Sequence, residues 1–198
     1  NSVHGKLVIA GQKSGFLHAI NAKTGKLVWQ TRVGRGGIQG GIHFGIGARG
    51  ETVFVPISDI EDGKTYPDPA RPGMNAIDAT TGEILWSTLH EDKCDGREFC
   101  HAGISQVITV IGDLVVGGSM DGTLRAYSIV DGQVLWELDT TKGEFPSITN
   151  TKAFGGSFGG GAGPIAFDGL LLISAGYGLY GHMPGNLLLA LEVPQGDE

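Results

Sequence analysis

Three stretches of this chain repeat one another, and the repeat restricts the fold more than any other feature. They read His18-Ala19-Ile20-Asn21-Ala22-Lys23-Thr24-Gly25-Lys26-Leu27-Val28-Trp29, Asn75-Ala76-Ile77-Asp78-Ala79-Thr80-Thr81-Gly82-Glu83-Ile84-Leu85-Trp86 and Arg125-Ala126-Tyr127-Ser128-Ile129-Val130-Asp131-Gly132-Gln133-Val134-Leu135-Trp136. In each, alanine and tryptophan are ten residues apart and a glycine stands four before the tryptophan. A fourth copy starts at Leu189-Ala190-Leu191-Glu192 and reaches Gly196. Alternating apolar and polar residues before the glycine read as a half-buried strand, Thr-Gly or Asp-Gly supplies a left-handed turn, and the apolar pair before tryptophan starts the returning strand. Each copy is therefore expected to be a hairpin.

Another apolar run lies upstream of each hairpin: Leu7-Val8-Ile9-Ala10-Gly11, Val53-Phe54-Val55-Pro56, Leu114-Val115-Val116-Gly117 and Leu170-Leu171-Leu172-Ile173-Ser174. A further short apolar segment precedes the last three, which makes about four strands per unit. Equivalent glycines are 57, 50 and 64 residues apart, and the excess over a typical propeller blade is assigned to loops. The clearest is Ser58 to Gly73, rich in Asp, Glu and Pro. A four-stranded sheet cannot bury both faces alone, so neighbouring units must stack, with Trp29, Trp86 and Trp136 as structural wedges and the small alanines leaving room for their rings. The expected fold is all-β: a β-propeller of four-stranded antiparallel blades, about four of them, in one partial domain over 1–198 with units at roughly 1–35, 36–92, 93–142 and 143–198.

Composition narrows the function. With 14 Lys and Arg, scattered singly, against 21 Asp and Glu, the formal charge is −7, and no basic stripe exists for nucleic acid or an anionic lipid surface. The most apolar run, around Leu170 to Ser174, is far shorter than a membrane span. The chain opens on Asn1-Ser2-Val3-His4 without a leader and is expected to be a piece of a longer protein.

The Ala-x-Asp/Asn-x-x-Thr-Gly-x-x-x-Trp pattern resembles the tryptophan-docking motif of quinoprotein alcohol dehydrogenases, eight-bladed propellers that hold pyrroloquinoline quinone (PQQ) near the axis. Gly11-Gln12-Lys13-Ser14-Gly15, Arg35-Gly36-Gly37 through Gly40-Gly41-Ile42-His43-Phe44-Gly45, Val55-Pro56-Ile57-Ser58-Asp59 and the glycine-rich Gly155 to Pro164 look most like the polyvinyl alcohol dehydrogenases among them. The resemblance implies half of an eight-bladed ring whose missing N-terminal half completes it. It also implies oxidation of secondary or polymeric alcohols, a cytochrome c-type electron acceptor, and a periplasmic or secreted location.

By the same resemblance, Lys13 matches a position where a basic residue faces the quinone oxygens; as a residue alone it reads equally well as a turn lysine in water. A cation there stabilises negative charge as the quinone is reduced. His43 and Phe44 fall in a glycine-bracketed stretch expected to form an innermost strand, where bare backbone lets a flat ring approach. The family stacks an indole on its cofactor, but all three tryptophans serve the repeat, so Phe44, Phe158 or a residue of the missing half is the expected substitute; Phe44 alone reads more simply as core. His101 and Ser105 complete the cofactor-binding candidates. Asp59, which follows its strand directly, is the candidate catalytic base. Asp59, Glu61 and Asp62 could ligate the calcium that the family pairs with its quinone, although Glu61 and Asp62 also read as a solvated loop, and the metal ligands stay unassigned. Cys94 and Cys100, in a protein of extracytoplasmic type, are expected to form a disulfide. Gly155-Gly156-Ser157-Phe158-Gly159 and Gly176-Tyr177-Gly178-Leu179-Tyr180-Gly181 mimic a nucleophile elbow and a dinucleotide fingerprint, but prolines and glycines follow where each motif requires a helix. Two other readings are a non-catalytic propeller of the same superfamily that binds proteins as a scaffold, and a carbohydrate-binding propeller.

Overall fold

A computed structural model describes residues 4–149 and 151–192. The described residues form strands only, in four antiparallel sheets whose strands follow one another in chain order. The first sheet holds β1 (Leu7–Gly11), β2 (Phe16–Asn21) and β3 (Leu27–Arg32). The second holds β4 (Gly47–Arg49), β5 (Thr52–Ile57), β6 (Gly73–Asp78) and β7 (Ile84–Leu89). The third holds β8 (Thr109–Ile111), β9 (Leu114–Gly118), β10 (Thr123–Ser128) and β11 (Val134–Asp139), and the fourth β12 (Ile165–Phe167), β13 (Leu170–Ala175) and β14 (Leu187–Glu192). Four strands per blade thus holds for the middle two sheets, and the outer two show three each among the described residues. The turn expected at Gly196 lies outside the described residues.

The repeat is now explained residue by residue. Its alanine and tryptophan are cross-strand partners, Ala19 with Trp29, Ala76 with Trp86 and Ala126 with Trp136, and a register shift follows the alanine each time. The Asn or Asp of the motif ties the turn: Asp78 Oδ1 accepts the backbone N–H of Thr80 (2.7 Å) and Thr81 (2.8 Å), which holds its carboxyl below the usual range. The turn glycine then closes onto the carbonyl of that same residue, Gly82 onto Asp78 (2.8 Å), at a φ of 79° that favours glycine.

The tryptophan reaches forward into the next sheet. The Trp29 indole N–H donates to Ala79 O (3.0 Å) while Thr31 Oγ donates to Gly82 O (2.5 Å). One unit later, Trp86 donates to Ile129 O (3.1 Å) and Thr88 to Gly132 O (2.7 Å). A Cβ on Gly82 would meet the Trp29 ring at 2.7 Å, and one on Gly132 the Trp86 ring, so these two turn glycines are also the surfaces on which the previous indoles lie. Above these contacts three apolar layers separate the sheets. Leu17, Val33, Val53, Val55 and Ile77 lie between the first and second. Phe54, Met74, Ile104, Val115 and Tyr127 fill the next, and Val116, Leu124, Phe158, Ile173 and Leu189 the last. Gly47 of β4 packs on Val110 of β8, so these edge strands converge toward a hub while the tryptophan-bearing strands lie at the opposite edges.

Trp86→Phe keeps the ring and removes the indole donor, leaving Ile129 O unpaired. It is expected to lower unfolding free energy by about 1 kcal/mol, and Gly132→Ala, which drives a methyl into the Trp86 ring from a φ of 75°, by about 1 to 3 kcal/mol. Urea unfolding of the two variants checks both values.

Candidate functional site

At the end of the strands opposite the docking turns, the sheets are stitched together by main chain. Ile42 N–H donates to Gln12 O (3.1 Å), Ser58 to Gly41 O (2.9 Å), Ile104 to Ile57 O (3.0 Å), Met120 to Gly103 O (2.9 Å), Phe158 to Ser119 O (3.1 Å) and Gly176 to Ser157 O (2.9 Å). Three segments, 40–44, 102–106 and 156–160, thereby bridge successive sheets. They are irregular connections with no ladder of their own, which corrects the expected innermost strand at His43 and Phe44. Their hydrogen bonds go to the ends of neighbouring sheets instead of to one partner strand.

Asp59 organises the first bridge. Its buried carboxylate, on a residue with φ 39°, accepts four backbone N–H groups: Arg35 (2.6 Å), Gly36 (3.1 Å), Gly41 (2.7 Å) and Arg71 (3.0 Å). Two oxygens carry about four acceptor sites, and all four are in use. The expectation of a base at Asp59 therefore gives way to a structural role, because no lone pair is left to receive a substrate proton. Its neighbours are engaged as well. Arg35 pairs with Glu61 (3.2 Å), donates to Ile60 O (2.5 Å) and lies 4.1 Å over the Tyr66 ring, whose hydroxyl donates to Asp62 (2.7 Å). Among the described residues no group of three or more His, Cys, Asp or Glu assembles for a metal, so the Asp59, Glu61 and Asp62 calcium set is not brought together.

Beside this loop, two of the expected residues, His43 and Ser105, meet, and Lys13 lies within electrostatic reach of His43. His43 contacts Gly40 O through Nε2 (3.1 Å) and Ser105 Oγ through Nδ1 (2.9 Å). A carbonyl only accepts, so Nε2 carries the proton and Nδ1 receives the Ser105 hydroxyl. Burial, then the charge of Lys13, lowers His43 to about 4. Lys13 Nζ donates to Ile38 O (3.0 Å) at the protein surface. His182 acts electrostatically on His43, and His101 on His182. His182 is buried, its Nδ1 has no partner, and it lies where a Cβ on Gly159 would come within 2.6 Å. The Ser58 hydroxyl and both ends of the Gln106 amide are buried and likewise unpartnered. His182 and Gln106 escaped the sequence reading because neither falls in the repeat or in a motif; only the abundance of glycine around them marks the stretch.

The remaining expected residues divide. Phe44 is half exposed and meets His43 edge-on at 6.2 Å. Phe158 is fully buried against Gly118 between the third and fourth sheets; it is core, because its N–H is spent on Ser119 O and its ring faces the apolar layer. Cys94 and Cys100 form the expected disulfide and pack on Met183, next to His182. A cleft of about 170 Å³ lies beside it, with His90, Asp92, His101 and Asp59 in its wall. His90 donates from Nδ1 to Ala102 O (2.7 Å) and receives the Tyr127 hydroxyl at Nε2 (2.7 Å). Burial, then the Arg125 charge, brings His90 down to about 4. Arg125, itself buried, is paired with Asp121 at 2.9 Å.

His43 and His90 are neutral in the folded protein down to a pH where the unfolded chain, with ordinary values near 6.5, is already protonated. The unfolded state then binds more protons, so stability is expected to hold above pH 6.5 and to fall as pH drops from 6.5 toward about 4. Denaturation midpoints across that window read this, and His90→Gln should flatten the decline. Reducing the Cys94–Cys100 bridge, which closes a short loop, is expected to remove about 2 kcal/mol of stability in melts with and without reductant.

Comparison with known proteins accords with this architecture. The family described as outer membrane protein assembly factor BamB matches residues 1–149. Polyvinylalcohol dehydrogenases from Sphingopyxis sp. (strain 113P3) and Pseudomonas sp are 35% identical over 176 residues and 34% identical over 197 residues. Those alignments take in 87% and 94% of this chain and 26% and 30% of the relatives, so the chain spans about a quarter to a third of their length. The crystal structure of quinohemoprotein alcohol dehydrogenase from Comamonas testosteroni matches with a TM-score of 0.61 over 94% of this chain and 32% of that one, at 16% identity, a likeness of fold. No helix among the described residues is long and apolar enough to cross a membrane.

Proposed function

The chain belongs to the superfamily of quinoprotein alcohol dehydrogenase propellers, and from that premise we propose that it forms part of a PQQ-dependent enzyme that oxidises secondary or polymeric alcohols such as polyvinyl alcohol. The observation that carries the proposal is the hydrogen bond between His43 and Ser105 (2.9 Å), within electrostatic reach of Lys13 and of buried His182, whose Nδ1 has no partner. Buried polar atoms without partners are costly, and a ligand that satisfies them recovers that cost. The residues present fit a flat quinone with oxygen acceptors. Lys13 offers a cation that can leave a surface carbonyl for a stronger acceptor, and the His182 ring, packed on the bare backbone of Gly159, holds an Nδ1 without a partner. Lys13, His43 and Ser105 would hold the group, with His101 and His182 behind them.

The chemistry such a quinone supplies when bound is the two-electron oxidation of an alcohol carbon. The chain's own contribution is electrostatic and positional. Lys13 stabilises negative charge on a neighbouring oxygen. Gly40 O fixes the tautomer of His43, which keeps Nδ1 an acceptor toward the Ser105 hydroxyl. The four N–H groups on Asp59 hold rigid the loop that carries both Gly40 and Gly41. In this reading the rest of the ring supplies the proton acceptor and any calcium ligands, electrons leave to a cytochrome c-type acceptor, and the enzyme is periplasmic or secreted, a setting that suits the disulfide.

The second reading is a protein-binding scaffold, favoured by the description of the matching family as an assembly factor. The two differ in quinone binding. With the full-length protein, quinone and calcium, a secondary alcohol is expected to reduce an artificial dye, and Lys13→Ala to weaken quinone affinity by about tenfold or more in an absorbance titration. Absence of both quinone binding and dye reduction in the unmodified protein would leave the scaffold reading in place.

A further inference from the structure

The repeat departs from itself at one joint, and the two departures meet in space. Tyr127 follows the alanine of its hairpin where the other units have Ile20 and Ile77, and His90 stands four residues after its tryptophan where they have Val33 and Thr140. The main chain makes these positions equivalent. The N–H of Val33, His90 and Thr140 each donates to the residue just before the first strand of its hairpin: Gly15 O (2.8 Å), Pro72 O (2.9 Å) and Gly122 O (2.9 Å). Between the first and second sheets, Val33 and Ile77 lie in one apolar layer. Between the second and third, the matching residues are His90 and Tyr127. There the Tyr127 hydroxyl donates to His90 Nε2 (2.7 Å), with the two rings within 6° of parallel.

An apolar pair would fill this joint without any polar atom to satisfy. Tyr127 is fully buried, so its hydroxyl and the imidazole stabilise the fold only where each polar atom finds a partner. A hydroxyl given to Nε2 leaves the imidazole proton on Nδ1, which donates to Ala102 O at 2.7 Å. Ser119 Oγ, 3.4 Å from the same nitrogen, is too far to compete. Ala102 opens the bridge at 102–106, and its place matches that of Gly40 in the first bridge. Each lies two residues before the amide that bonds the preceding sheet, Ile42 to Gln12 O and Ile104 to Ile57 O. Gly40 O is likewise held by an imidazole N–H, that of His43. Three residues beyond Ala102, Ser105 gives its hydroxyl to His43 Nδ1. The second bridge is thus gripped by one imidazole at each end, His90 at Ala102 and His43 at Ser105.

We propose that His90 is a positioning residue for the candidate quinone site: with its tautomer fixed by Tyr127, it holds Ala102 O and so sets the bridge that presents the Ser105 hydroxyl to His43. The inference rests on the reading of His43 and Ser105 as quinone-binding residues, and adds to it a support that touches neither the quinone nor the alcohol. Every partner in the support belongs to the second and third sheets or to the bridge between them.

Three variants of the full-length protein test this. Tyr127→Phe keeps the buried ring and removes the hydroxyl that fixes the tautomer, His90→Phe removes both bonds, and His90→Gln supplies an amide donor and an acceptor that can replace them. Hydrogen exchange without cofactor, followed by mass spectrometry of the peptide carrying the Ile104 amide, is expected to be about fivefold faster in Tyr127→Phe and faster still in His90→Phe. It should return toward the unmodified rate in His90→Gln, with the docking turn at 78–82 unaltered in all three. Affinity for PQQ, read by absorbance titration, is expected to fall about fivefold in Tyr127→Phe and to be restored in His90→Gln. Exchange that is equal in all the proteins, or that rises at the docking turn as much as at Ile104, overturns the positioning role, as does an unchanged quinone affinity in Tyr127→Phe. An unmodified protein that takes up no quinone, yet shows the expected exchange pattern with rescue by glutamine, overturns the quinone reading and leaves the hold of His90 on the bridge.

Discussion

Everything in this structure depends on an indole reaching out of its own sheet. A meander of short strands with apolar residues on both faces is unstable alone, and stacking by hydrophobic contact fixes neither spacing nor register. Trp29 and Trp86 add direction: each ring fits opposite a small alanine in its own hairpin, lies on the turn glycine of the next, and donates one hydrogen bond to a carbonyl there. Thr31 and Thr88 repeat that anchoring two residues on. The turn must then be the same in every unit, which is why Asn21 and Asp78 tie it with side-chain oxygens.

Fixing the sheets at the turn end leaves the other end for function. There the connections cannot be regular strands, because each must join the end of one sheet to the next, and glycine permits the close approaches involved. Asp59 shows how such a segment is made rigid without secondary structure: one carboxylate collects four main-chain donors from three parts of the chain. The resulting loop sets Gly40 O and thereby the tautomer of His43. Polar groups left unpartnered at this end, in Ser58, Gln106 and His182, contrast with the satisfied turns at the other.

The same division explains the resemblance to both enzymes and assembly factors. The docking repeat is a property of the architecture and is indifferent to what the hub holds, so a likeness carried by the repeat speaks to fold. Function must be argued from Lys13, His43, Ser105 and His182, which the repeat does not contain.

The sequence by itself determined the architecture. An alanine ten residues before a tryptophan, with a glycine between, defines a hairpin through local turn chemistry, and copies of it can bury their faces only by stacking; the disulfide was expected from two cysteines in a chain whose resemblance implies an extracytoplasmic protein. Lys13 came from the family resemblance and His43 from its glycine-bracketed stretch, a local signal in a strand-rich chain. Only tertiary structure decided that Asp59 is consumed by backbone donors, that Phe158 is core while Phe44 is exposed, and that His182, 139 residues from His43, shares its surroundings. These are matters of which group another part of the chain places nearby. Spacing along a sequence encodes local periodicity, whereas the occupancy of a lone pair or the exposure of a ring is set by neighbours that the sequence separates.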